Sequence, residues 1–185
     1  MRRRYIVTII TALVIAGYLS FDEKQDNQQI AVEAIKSEPD YLITGLSIES
    51  YTENGTLSQQ IDADKATHYP HNNSIDFEQP KVILRQGNSP QWGITSKTGQ
   101  LIGDETLQLN GNIQIVPLQD SVGIFSLSTE ALTIDLLKHI ADTDAQVIIE
   151  SNSTKLKAIG MNMNLNSQLT VFKSQVRGIH DPNVK

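Results

Sequence analysis

Four histidines, at positions 68, 71, 139 and 180, are the first side chains to weigh for chemistry. His68 and His71 are close in sequence and flank Tyr69-Pro70. A metal site there would need ligands that the sequence does not identify, and the proline marks a strand end, where two solvated turn histidines are the simpler expectation. Asp142 and Asp144 in "DTD" offer carboxylates for calcium but lack the loop glycine and closing glutamate, so a turn is expected there. Asp62 and Asp64 share one face of an extended chain. They would either pair as acid and base or form the wet face opposite Ile61 and Ala63. No GxSxG, phosphate-cradling glycine loop or HExxH occurs. With no cysteine, disulfides, thiolate zinc sites, cysteine nucleophiles and a lipoprotein anchor are excluded. The expectation is a protein that is not an enzyme and that has no cofactor and no metal. Three glycosylation sequons begin at Asn54, Asn72 and Asn152 and matter only in a eukaryotic secretory pathway.

Charge placement says more than the total. Arg2, Arg3 and Arg4 precede the first acidic residue, Asp22, and beyond residue 21 stand 12 basic against 21 acidic residues, a net charge of −9. Such a surface repels nucleic acid. Residues 5 to 21, "YIVTIITALVIAGYLSF", carry no charge. As a helix they reach about 25 Å, slightly short of a hydrocarbon core of about 30 Å, with arginines and interfacial Tyr18 and Phe21 to make up the difference. The flanking charges put residues 1–4 in the cytoplasm and the chain after residue 21 outside. A cleaved signal peptide ending near Val14-Ile15-Ala16 is the rival reading, and the apolar run continues past it; both readings export the remainder. Residues 1–21 are thus taken as cytoplasmic tip and anchor, and 22–40, polar and closed by Pro39, as a linker.

From residue 41 the apolar period becomes two: Leu46 and Ile48; Leu57, Ile61 and Ala63; Ile75 and Phe77; Val82 and Leu84; Trp92 and Ile94; then a similar series to Leu169 and Val171. Turn signals separate the runs: "TENGT", "HNNS", "QGNSP", "DTDA", "ESNS" and "NLNS". Ile75, Leu107, Ile140 and Leu169 recur at spacings near thirty residues, which suits an antiparallel meander of long twisted strands. In "LQLNGNIQI", residues 107–115, parity is kept across Gly111. One strand bent at the glycine is favoured, and a hairpin at Asn110-Gly111 is the alternative. A sheet with one apolar face must cover it. The lining is either a packed sandwich core or an interior left open along a seam for an apolar ligand, and the pair Met161 and Met163 would suit either.

The ordered set Ala63, Ala66, Tyr69, then Phe77, Gln79, Pro80, then Leu107, Leu109, Gly111, Asn112, Ile113, together with the single anchor, resembles the LptC family. Residues 153–164, "STKLKAIGMNMN", resemble its late segment at Leu156, Lys157, Gly160 and Met161, departing at Lys155 where a glycine is frequent. The resemblance implies an all-β fold: a twisted, open, V-shaped antiparallel β-jellyroll over residues 41–180, a single N-terminal transmembrane helix before it and a tail at 181–185. It implies an inner-membrane, single-pass protein, N-terminus cytoplasmic and bulk periplasmic, that takes part in lipopolysaccharide transport. Its partners would be lipopolysaccharide, the inner-membrane ABC transporter (LptB, LptF, LptG) that supplies it, and LptA, which receives it. The expected lipid-contacting wall is Phe77, Ile94, Leu109, Ile113, Val147, Met161 and Met163. The expected edge for LptA is the last strand, roughly 167–179, with Leu169, Val171 and Val176. A membrane-anchored closed β-sandwich serving as periplasmic scaffold or glycan-binding module is the alternative.

Overall fold

A computed structural model of the chain describes residues 38–87, 89–119 and 125–181. The expected anchor, most of the linker and the end of the tail lie outside the described residues, and no helix among the described residues is long and apolar enough to cross a membrane. What is described is all β. The strands are β1 (Tyr41–Tyr51), β2 (Leu57–Tyr69), β3 (Ser74–Glu78), β4 (Lys81–Gln86), β5 (Ser89–Thr95), β6 (Thr98–Ile102), β7 (Thr106–Pro117), β8 (Phe125–Asp135), β9 (Ile140–Ser151), β10 (Thr154–Asn164) and β11 (Thr170–His180).

All eleven join one sheet, and every pairing is antiparallel. β3 and β4 are two pieces of one long strand beside β2, interrupted at Gln79-Pro80, and β5 and β6 are two pieces beside them, interrupted at Ser96-Lys97. Each long strand therefore pairs with the next along the chain, as a meander does. β1 and β11 each have a single strand partner, so both ends of the ladder carry an unpaired edge among the described residues.

The breaks align. β7 is one strand that runs through Gly111 and carries one extra residue there: Asn110 faces Ala131, and Ile113 faces Thr129. Gly111 at φ +77° and Asn112 at φ +48° adopt the left-handed backbone the bulge needs, which glycine and asparagine tolerate best. Gly45 on β1, Gln79 between β3 and β4, Gly160 on β10 and Gln175 on β11 hold the same kind of conformation. In β9 the extra residue falls between Thr143 and Gln146. So "DTDA" is not the turn expected of it but a bulge inside β9. Cross-strand bonds link the row, Gln79 N–H to Lys97 O at 2.9 Å and Lys97 N–H to Gly111 O at 2.9 Å. The polar groups that the irregular backbone brings inside are satisfied by buried hydroxyls. Ser96 Oγ donates to Thr98 O (2.9 Å) and Thr143 Oγ1 to Ala131 O (2.6 Å).

Along this crease the buried face changes phase. β2 turns Ile61 and Ala63 inward on one side and Ala66 on the other; β8 passes from Leu127 and Thr129 to Leu132 and Ile134. β7, with its extra residue, keeps Leu107, Leu109, Ile113 and Ile115 in step. The inward residues on both sides of the crease form one apolar cluster. The sheet has folded back on itself: Trp92 on β5 donates its indole N–H to the carbonyl of Leu165, just beyond β10, at 2.8 Å.

Candidate functional site

The site is built from rows of side chains that run across the strands. On one side of the crease a row of mutually paired residues crosses the whole sheet: Ile48, Ile61, Val82, Ile94, Ile115, Leu127, Ile149, Leu156 and, on β11, Gly178. Each strand on this side of the crease gives one aliphatic residue until the last; β3 and β6 lie outside the row. The row is buried from Ile61 to Leu127, half-buried at Ile149 and Leu156, and exposed at Gly178. On the other side a second row sets Ala66, Phe77, Gly99, Leu109 and Leu132 in register. Gly99 leaves the space that Leu109 and Pro80 occupy, since a Cβ there would lie 2.9 Å from Leu109 Cδ2.

All seven expected wall residues face this interior. Phe77 lies on β3, Ile94 on β5, Leu109 and Ile113 on either side of the β7 bulge, Val147 on β9, and Met161 and Met163 on β10. None is more than 2% exposed, so the protein's own side chains close the interior. The sequence reading did not single out Ile48, Ile61, Val82, Ile115, Leu127, Ile149 or Leu156 as part of that wall. Their alternation is visible in the sequence, but which of them stand side by side is set by register.

The residues expected at the partner edge stand at the free end of the ladder. Leu169 precedes β11, while Val171 and Val176 lie on it, at 67%, 56% and 52% exposure. From Lys173 to its end at His180, β11 is exposed on both faces. β11 is fastened to the sheet by more than its ladder. Lys173 reaches over Gly160 on β10 to two carboxylates of β9, Asp142 Oδ2 at 2.9 Å and Asp144 Oδ1 at 2.8 Å. Asn162 Nδ2 also donates to Asp142 (2.9 Å). The Asn162 amide, then the Lys173 ammonium, hold the Asp142 carboxyl below the usual range, and Asp144, then Asp142, push the Lys173 ammonium up. Asp142 and Asp144 are thus partners of a lysine.

The histidines do not assemble. His68 is not a solvated turn residue as expected: its Nδ1 lies 2.7 Å from Asp40 Oδ1 and its ring stacks on Tyr41 at 4.6 Å. His71 stands edge-on to Tyr69 instead. Asp62 accepts from Ser47 Oγ (2.6 Å) and from the Gln60 amide, so it serves the β1–β2 pairing. Among the described residues no group of three or more His, Cys, Asp or Glu is placed to hold a metal ion.

Comparison with known proteins agrees with this architecture. A solved structure of LptH from Pseudomonas aeruginosa, described as the LptA homologous periplasmic component of the conserved lipopolysaccharide transport device, superposes with a TM-score of 0.54 at 9% identity. The match covers 67% of this chain and 95% of LptH, and shows a shared fold. The lipopolysaccharide export system protein LptC of Haemophilus influenzae is 23% identical over 202 aligned positions, covering 98% of this chain and 95% of the relative. The sequence profile of the family described as "Lipopolysaccharide-assembly, LptC-related" matches residues 7–181, nearly the whole length, and the chain belongs to that family.

Proposed function

We propose that this chain carries lipopolysaccharide and does so without catalysis. In this reading residues 5–21 anchor it in the inner membrane with the N-terminus in the cytoplasm, and residues 41–180 form the periplasmic carrier. The ABC transporter LptB, LptF and LptG delivers the lipid, and LptA receives it at β11. The observation that carries the reading is the aliphatic row that runs from Ile48 through β1, β2, β4, β5, β7, β8, β9 and β10 and surfaces at Leu156 beside β11, whose outer edge is unpaired. Acyl chains gain about 0.8 kcal/mol per buried methylene. An apolar track is therefore what a lipid carrier needs, while phosphates and sugars stay in water. Lipid uptake requires the two faces of the interior to part. The acyl chains then replace the contacts that Phe77, Ile94, Leu109, Ile113, Val147, Met161 and Met163 make with one another. The unbranched methionines adapt to such an exchange at small cost. An unpaired strand edge offers LptA a backbone ladder to extend.

Photo-crosslinking residues at Phe77 and Ile113 test the proposal in cells: adducts with lipopolysaccharide are expected. Removal of residues 167–179 is expected to abolish LptA capture and to spare membrane association; retained capture refutes the edge assignment. The complete burial of the seven wall residues favours a second reading, a closed anchored sandwich acting as a scaffold. Absence of adducts at all seven positions would argue for that closed, dry core.

A further inference from the structure

On the outer surface of β2, β3, β6 and β7, away from the apolar interior, lies a cleft of about 470 Å³. Two rows of mutually paired residues floor it: Lys65, Glu78, Thr98 and Asn110 in one, Thr67, Asp76, Gln100 and Gln108 in the other. Tyr69 stands at one end. Four strands make the floor about 14 Å across.

Its charges are largely spent on each other. Lys65 Nζ pairs with Glu78 at 2.9 Å, and Gln100 Nε2 donates to Asp76 at 2.6 Å. One lysine against two carboxylates leaves a formal charge of −1, which disfavours phosphorylated or sulfated ligands. The remaining polar groups are open. The side chains of Thr67, Gln108 and Asn110 have no hydrogen-bond partner among the described residues, and Gln108 and Asn110 are exposed. Amides and hydroxyls both donate and accept, as sugar hydroxyls do. The half-buried Tyr69 adds an apolar flank with a polar tip, suited to a sugar ring whose faces are apolar and whose rim is polar.

We propose that this cleft is a binding site for an uncharged oligosaccharide. The side chains of these two rows alternate with Phe77 and Leu109 and so face away from the lipid interior, while Phe77 and Gly99 lie beneath them in the cleft's floor. Hydroxyls of successive sugar units engage Thr67, Gln100, Gln108 and Asn110, and one ring lies against Tyr69.

The test is titration of the full chain in detergent micelles with chitotetraose and, separately, cellotetraose, followed by the side-chain amide NMR signals of Gln and Asn. Saturable shifts at Gln100, Gln108 and Asn110 are expected with at least one of the two. The double variant Gln108→Ala/Asn110→Ala should weaken that binding roughly tenfold or more. Both positions are exposed, so the variant should keep its far-ultraviolet circular dichroism and its crosslinking of lipid from Ile113, which does not line the cleft. No saturable shift with either sugar overturns the proposal, as does binding that the double variant leaves unchanged. Tighter binding of a sulfated tetrasaccharide at the same amides also overturns it, because the site would then be selecting charge.

Discussion

The indole N–H of Trp92 is bonded to the carbonyl of Leu165, 73 residues further along the chain, and both residues are buried. In the ladder β7, β8 and β9 lie between β5 and β10, so this one bond joins parts of the sheet that are four ladder steps apart. Replacing Trp92 by Phe keeps most of the apolar burial but orphans the Leu165 oxygen, at about 1–3 kcal/mol. Trp92→Ala adds a cavity, with a total near 3–5 kcal/mol. Urea unfolding of both variants should preserve that order.

Gly160 is the second position where one residue governs a distant contact. A Cβ there would lie 2.7 Å from Lys173 Cδ, and the backbone sits at φ +73°. Gly160→Ala should cost roughly 1–2 kcal/mol for the left-handed backbone alone, beyond the displacement of Lys173. Adding Lys173→Ala should relieve only part of the clash, because the Cβ of residue 173 would still lie 2.9 Å from the new one, and should leave the backbone penalty. Amide exchange along β11 should quicken in the single variant.

The Lys173 strap should respond to pH at both ends of the scale. Asp142 is held below its ordinary pKa, so its contribution is present above about pH 4 and is lost as pH falls through the lowered folded value. Lys173 is raised, so its contribution is present below about pH 10 and is lost as pH climbs through the raised folded value. The groups are substantially exposed, which keeps the effect small. The melting-temperature difference between the native chain and Lys173→Met should be flat at neutral pH and shrink toward both extremes.

The aliphatic row predicts a gradient of stability. Leu127, 1% exposed, should cost about 2–5 kcal/mol on replacement by Ala, whereas half-buried Leu156 should cost clearly less. Equal losses in urea unfolding would show that the row is as tightly packed at β10 as at β8.

Much of this architecture is legible in the residues themselves. Period-two alternation marks the strands, and the unbroken parity of Leu107, Leu109, Ile113 and Ile115 points to one strand through Gly111, as found. Burial of the seven wall candidates follows from the same parity. Where local signals mislead, a distant partner has outweighed them. "DTDA" has turn-forming residues, yet Lys173 and Asn162 engage its aspartates within a ladder. His68 looks solvated until Tyr41, from the far end of the β1–β2 hairpin, stacks on it. The break at Gln79-Pro80 divides a strand that still holds its register with β2 on both sides. Pairing across dozens of residues, such as Trp92 with Leu165, leaves no trace in either neighbourhood.

Gly178 ends a succession in which each preceding member, from Ile48 to Leu156, is a branched carbon chain. Whatever strand is laid against β11 thereby acquires a rule for the residue it sets beside that glycine. A large aliphatic group there reaches across the gap and prolongs the greasy track without a step. A small or polar one leaves a notch at the joint, open to water.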